Sequence, residues 1–137
     1  MRDYSSSFSP KAARWPAEWP GDARLNTDKV DDWQITPREL ERRLGLGEPI
    51  VLVDVRERWE ADLVSLPEAR LIPLNELAYR AVDEIDSEEE IVLYCHHGVR
   101  SMEAALLLWD YGYENVRSLA GGIDRWTVEV SPSLPRY

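Results

Sequence analysis

The sequence predicts one α/β domain, a mainly parallel five-stranded sheet flanked by helices. Three observations predict it. Short apolar runs, most continuous at residues 50–53 and 91–94, alternate with amphipathic stretches, the pattern of strands joined by crossover helices. The chain has 137 residues, enough for one domain around one core. Hydrophobic residues make up 44% and charged residues 31%, a balance that fits a globular chain rather than a disordered one.

Residues 1–32 contain Ser5, Ser6, Ser7, Pro10, Pro16, Pro20 and Gly21 without a helix or strand period, so an irregular extension is expected there. Trp15 and Trp19 interrupt its polarity and predict docking, on the chain's own domain first and on a partner second. The domain itself is expected over 33–137. Residues 33–35 predict a short edge strand. Thr36, Pro37 and Glu39 then read as an N-cap, a proline at the first helical position and a capping-box glutamate. Leu40 and Leu44 supply that helix's apolar stripe, and Gly45 or Gly47 ends it.

The run at 50–53, between Pro49 and Asp54, predicts a strand buried on both faces. A short helix is expected over 57–63, a brief edge strand at Leu71 and Ile72, and another helix over 74–82. The acidic stretch 83–90 reads as a solvated loop, since it lacks the glycine and alternating ligands of a calcium loop. After the strand at 91–94 comes the segment CHHGVRS at 95–101, and a helix is expected to start beyond it. Met102, Ala105, Leu106 and Trp109 recur at helical spacing, with Gly112 as the stop. The last strand is expected at 116–119, and Gly121 and Gly122 open a final helix through Trp126, which reads as core or rim packing.

Charge and cysteine count exclude several functions. The net charge of -10 opposes binding to nucleic acid or to acidic membranes, and no window gathers the arginines into a basic patch. One cysteine forms no internal disulfide, which predicts a reducing compartment, the cytoplasm by default. The first 20 residues lack the apolar run of a signal peptide or anchor.

The chemistry is expected at Cys95, which follows a buried strand and precedes a helix. Ligands bind at that end of the strands in open α/β sheets. Helix N-termini offer unpaired N–H groups and partial positive charge, and Arg100 adds a full one. Such surroundings favour thiolate over thiol, with Glu103 and the negative domain acting the other way. The common alternative for a free cysteine is a small core residue. His96, His97, Gly98, Arg100 and Ser101 make poor core and a good polar loop, so a reactive role is expected instead. Gly98 is expected at positive φ, where a loop turns its amides inward. His96 and His97 are expected to face solvent or to touch a substrate or partner. No metal is expected, because consecutive residues seldom converge on one ion and the chain has two histidines. Asp54, Arg56 and Glu57 follow the first buried strand at the same sheet edge, where an ion-pair network supporting the loop is expected.

With VLVDVRE at 51–57, LPEA at 66–69, YCHHGVRS at 94–101 and LAGGIDRW at 119–126, the sequence resembles the rhodanese-like domain family over about residues 35–137. The resemblance implies a single rhodanese-like domain and thiosulfate sulfurtransfer. Cys95 is the implied catalytic nucleophile and persulfide carrier, and His96, His97, Gly98, Val99, Arg100 and Ser101 the substrate-binding loop. Asp54 and Arg56 are implied supporting residues. The implied partners are a small anionic sulfur donor such as thiosulfate and a thiol, protein or cyanide acceptor, with no cofactor. Four residues separate Cys95 from Arg100, whereas phosphatases of the related fold carry a loop one residue longer. Alternatives are a binding or regulatory module without turnover and, further off, a phosphatase or arsenate reductase. One segment departs from the family pattern: VSLPEA at 64–69 stands where many members have Gly-His-Ile-Pro-Gly-Ala.

Overall fold

The computed structural model describes residues 33–137; the expected extension over 1–32, with Trp15 and Trp19, lies outside the described residues. Five strands and five helices alternate among the described residues. They run β1 (Gln34–Ile35), α1 (Pro37–Gly45), β2 (Ile50–Asp54), α2 (Arg58–Leu63), β3 (Arg70–Leu71), α3 (Leu74–Glu84), β4 (Glu90–Tyr94), α4 (Val99–Asp110), β5 (Val116–Leu119) and α5 (Gly122–Glu129). The sheet order is β1-β5-β4-β2-β3 and every pairing is parallel. The expected α/β class and strand count are what the structure contains.

Strands β2 and β4 pair from Ile50 opposite Glu90 to Asp54 opposite Tyr94, and their alternate residues enter two separate layers. Val53, Ile91 and Leu93 meet Leu77 and Ala81 of α3 and Ala104, Ala105 and Leu108 of α4. On the other face, Leu52, Val92 and Tyr94 meet Leu40 of α1 and Ile123 and Trp126 of α5. Both faces are therefore covered, which is why these strands read as continuous apolar runs. Leu93 and Leu108 are each 0% exposed, so cutting either back to alanine costs about 2–5 kcal/mol.

Chain order reverses at the β2–β4 boundary: β2 leads outward to β3, and β4 leads the other way to β5. A crevice at the carboxyl ends of the strands forms at such a switch point. Asp54 and Cys95 both leave their strands there. The period of two that sends residues 91 and 93 toward α3 and α4 sends Cys95 the same way, beneath the first turn of α4.

Local signals explain most boundaries. Thr36 Oγ accepts from Glu39 N at 3.2 Å, and Pro37 opens α1. The Glu39 carboxylate turns to Arg42 instead of closing the capping box. A full capping box joins Glu57 and Glu60 at the start of α2. Helix α3 continues through Asp83 and Glu84, where the sequence predicted a loop, because Glu84 pairs with Arg80 one turn back. Strand β3 begins one residue before its expected start, with Arg70 opposite Val53. Helix α4 starts at Val99, not after Ser101, because Gly98 at φ 108° turns the chain straight into it. Its buried face is Ser101, Ala104, Ala105, Leu108 and Trp109, while Met102 and Leu106 of the expected stripe are half-buried.

Candidate active site

Cys95 lies immediately past β4, and its side chain is at the floor of the turn that becomes α4. Two main-chain amides face the sulfur: Gly98 N at 3.0 Å and Ser101 N at 3.4 Å from Sγ. The helix leaves its first-turn N–H groups without intrahelical partners, so their partial positive charge gathers around this atom. A hydroxyl completes the surroundings. Ser101 Oγ lies 3.5 Å from Sγ and 2.6 Å from Ser118 Oγ, with both serines fully buried.

Two glycines let the turn close. Gly98 adopts the positive φ expected of it. A Cβ on Gly122 would lie 2.3 Å from His96 O and 2.5 Å from Cys95 O, so only glycine allows the start of α5 to rest on the cysteine turn. From that position Ile123 N donates to Cys95 O at 2.9 Å and Asp124 N to His96 O at 3.1 Å. The N-terminus of α4 thus faces the sulfur and that of α5 satisfies the carbonyls beneath it.

The structure corrects three expectations for this segment. Cys95 is 1% exposed and packs within the α3–α4 core cluster, although its neighbours predicted a solvent-facing loop. The strand's alternation points it inward, and the helix folds over it. Val99, Arg100 and Ser101 belong to the first turn of α4 rather than to a loop. Arg100 is also not a free cation, because its guanidinium donates to both Glu60 oxygens at 2.7 and 2.9 Å.

Glu60 is the residue that sequence reasoning missed beside Arg100. It is buried, and its carboxylate is held at about 2 by the Arg100 hydrogen bonds, against the opposing effect of burial. The Glu57 amide and the Tyr137 hydroxyl assist. Its spacing of three from Glu57 is the capping-box spacing the structure fills, but nothing in the sequence linked it to residue 100. Ser118, in the last strand beside Arg117, carried no sequence signal of its place against Ser101.

Asp54 and Arg56 form a buried ion pair at the end of β2. Arg56 is 0% exposed, donates to both Asp54 oxygens at 2.8 and 2.7 Å, and bonds Val64 O at 2.6 Å. Its remaining nitrogen donates to Tyr137 Oη at 2.8 Å. Buried and fully engaged, this pair ties the end of β2 to the end of α2. Glu57 caps α2 and does not join that pair.

His96 is half-buried between two rings, stacked at 3.9 Å on both His97 and Tyr137. Its Nε2 is buried without a hydrogen-bond partner, and burial followed by the neighbouring His97 lowers its pKa. His97 is largely exposed, with Nε2 3.8 Å from Asp124 Oδ2. The fold therefore brings Asp124 to the two histidines, and the ligand atoms of all three lie within 4.8 Å of one another. The sequence offered no such third ligand. Arg136 already donates to both Asp124 oxygens at 2.8 and 3.1 Å, so an ion at this position would have to displace a guanidinium.

Comparison with known proteins gives this geometry its family. Residues 36–129 match the family model described as Rhodanese-like domain. The chain is 36% identical over 104 residues to the probable adenylyltransferase/sulfurtransferase MoeZ of Mycobacterium tuberculosis, covering 75% of this chain and 26% of that protein. It is 34% identical over 93 residues to a sulfurtransferase of Allochromatium vinosum, covering 68% of this chain and 86% of that one. The chain thus spans about a quarter of the MoeZ relative's length and most of the shorter relative's. Among solved structures, the human single-domain sulfurtransferase TSTD1 superposes with a TM-score of 0.63 at 29% identity, covering 70% of this chain and 96% of that one. A rhodanese-related protein from Thermoplasma volcanium superposes with a TM-score of 0.65 at 27% identity, covering 73% and 95%. With the family model spanning most of the chain, this protein belongs to the rhodanese-like domain family.

Proposed function

We propose that this chain is a sulfurtransferase that carries sulfane sulfur as a persulfide on Cys95. The observation that carries the proposal is the sulfur's position, with the Gly98 and Ser101 amides at 3.0 and 3.4 Å at the N-terminus of α4. The Cys95 thiolate attacks the outer sulfur of thiosulfate, the S–S bond of the donor breaks, and sulfite leaves with its electron pair. A thiolate or cyanide then attacks the outer sulfur of the persulfide, giving a new persulfide or thiocyanate and returning the Cys95 thiolate.

The negative charge that moves through both steps is stabilised by oriented main-chain dipoles, which need no reorganisation as charge develops. Arg100 acts by fixing the first turn of α4 through Glu60, and Asp54 and Arg56 act by holding the end of β2. The likeness to named sulfurtransferases supports the same reading, with a thiol or protein acceptor. The lone cysteine fits a reducing compartment such as the cytoplasm. No helix among the described residues is long and apolar enough to cross a membrane.

One observation favours a binding module without turnover: Cys95 is 1% exposed. Thiocyanate production separates the two readings. Thiosulfate and cyanide should yield thiocyanate catalytically with the wild-type chain and none with Cys95→Ser. Absence of turnover with several donors would favour the module.

A further inference from the structure

Strand β5 places one polar side chain in an apolar layer. Val116 enters the cluster formed with α3 and α4, and Ser118, two residues on and paired with Leu93, faces the same way. It is 0% exposed. A hydroxyl buried there is tolerated when its hydrogen bonds are made. Among the described residues, Ser118 Oγ meets one hydrogen-bonding partner, Ser101 Oγ at 2.6 Å.

The neighbours of Ser101 decide which hydroxyl donates. The single Ser101 proton goes to Gly98 O at 3.3 Å, while the Cys95 thiol donates to Ser101 Oγ at 3.5 Å. With that proton engaged, the hydrogen in the 2.6 Å contact is the one carried by Ser118. The reverse direction would leave the Ser118 proton buried without an acceptor, a costly state. The Ser101 oxygen therefore accepts twice, from Cys95 and from Ser118.

Ionisation of Cys95 needs one rotation. The thiol proton passes to water, and the Ser101 hydroxyl turns from Gly98 O to the sulfur, joining the Gly98 and Ser101 amides already facing it. Gly98 O keeps Met102 N at 3.2 Å, so no carbonyl is orphaned by the rotation. Ser118 goes on donating to Ser101 Oγ, and a hydroxyl that accepts a hydrogen bond is itself a stronger donor.

We propose that Ser118 is a positioning residue for the sulfur chemistry, which by donating to Ser101 Oγ strengthens the Ser101 hydrogen bond to the Cys95 thiolate. Ser118 makes no hydrogen bond to the sulfur itself and acts through Ser101. Its part in sulfur transfer rests on the sulfurtransferase reading; its part in thiolate reactivity does not.

The test compares Ser118→Thr with Ser118→Val, which fill the same space and differ in the hydroxyl. Cys95 is the chain's one cysteine, so its S–H stretching band in the infrared is unambiguous. In Ser118→Val the Ser101 oxygen, relieved of one donor, should accept more strongly from the thiol and move the band to lower frequency. Ser118→Thr should keep the wild-type band. A shift to higher frequency in Ser118→Val would mean that Ser101 donates to Ser118, and it would overturn the proposal, as would an unmoved band. Alkylation by iodoacetamide at neutral pH should slow about threefold in Ser118→Val and recover in Ser118→Thr, the scale of one polarised hydrogen bond. Ser118→Ala, which adds no bulk, should reproduce both effects of valine. Wild-type alkylation in the valine and alanine variants would remove Ser118 from the chemistry. With thiosulfate and cyanide, Ser118→Val should lower kcat by a similar factor and leave KM unchanged. Slowed alkylation in a chain whose wild type takes no sulfur from any donor would reject the sulfurtransferase reading alone.

Discussion

Arg100 and Glu60 form a bidentate ion pair, with bonds of 2.7 and 2.9 Å that join the first turn of α4 to α2. The cation nearest the sulfur in sequence is thus part of the scaffold. Removing it leaves a buried carboxylate unpaired, which is among the costlier single changes a fold can suffer. Arg100→Ala should therefore lower stability by about 2–3 kcal/mol, less than for a fully enclosed pair because the arginine reaches solvent. The urea midpoint measures it. Sulfur loading of the folded fraction should fall by less than about tenfold, since main-chain amides supply the anion cradle.

The same pair sets an acid limit. The Glu60 carboxylate titrates at about 2 in the folded chain against an ordinary value of 4.5. Between those values the unfolded chain binds the proton and the folded chain does not, so stability is lost as pH falls through this window and is fully present above it. The loss attributable to Glu60 is about 2–3 kcal/mol. Glu60→Gln should be less stable than wild type at neutral pH and show a shallower decline between pH 5 and 2, roughly the window spanned. Equal slopes would contradict the assignment.

Among the described glycines, Gly122 leaves the least room for a side chain. An added methyl would meet the main chain of His96 at 2.3 Å, and neither that carbonyl nor α5 can shift without breaking the bonds between them. Gly122→Ala should cost at least about 3 kcal/mol and abolish sulfur loading, as overpacking and positive-φ strain act together. Circular dichroism with thermal melting checks the first, and mass spectrometry the second.

Glu68 presents the opposite case. It adopts φ 64° at the third position of the turn 66–69, which Ala69 N closes on Leu66 O at 3.3 Å. Proline second and positive φ third is the type II pattern, which favours glycine. Glu68→Gly should raise stability by about 0.5–1 kcal/mol, the relief of left-handed strain exceeding the added chain entropy. A lower melting temperature would refute it. The loss of the family's glycine at this position changed the residue and left the turn in place.

Most of the scaffold was legible because both faces of β2 and β4 are covered, and apolar runs of that kind leave few alternative placements. The cysteine's place at the carboxyl end of β4 followed from the same pattern. What sequence could not show was contact between distant positions. Glu60 lies forty residues from Arg100 and Tyr137 seventy-seven from Glu60, and only the β2–β4 switch point brings them together. Cys95 was read as exposed from the polarity of its neighbours, yet side-chain alternation along β4 and the fold of α4 decided its burial. The helix boundary at Val99 was missed for a related reason: a valine and an arginine after a glycine carry no distinctive cap, and Gly98 sets the turn by its positive φ.

Intact-mass measurement after incubation with thiosulfate tests the central claim most directly. The account predicts that the wild-type chain gains one sulfur atom, loses it on reduction, and that Cys95→Ser gains none. An unchanged mass across thiosulfate and low-molecular-weight persulfide donors, with Cys95 free and the fold intact, would contradict it.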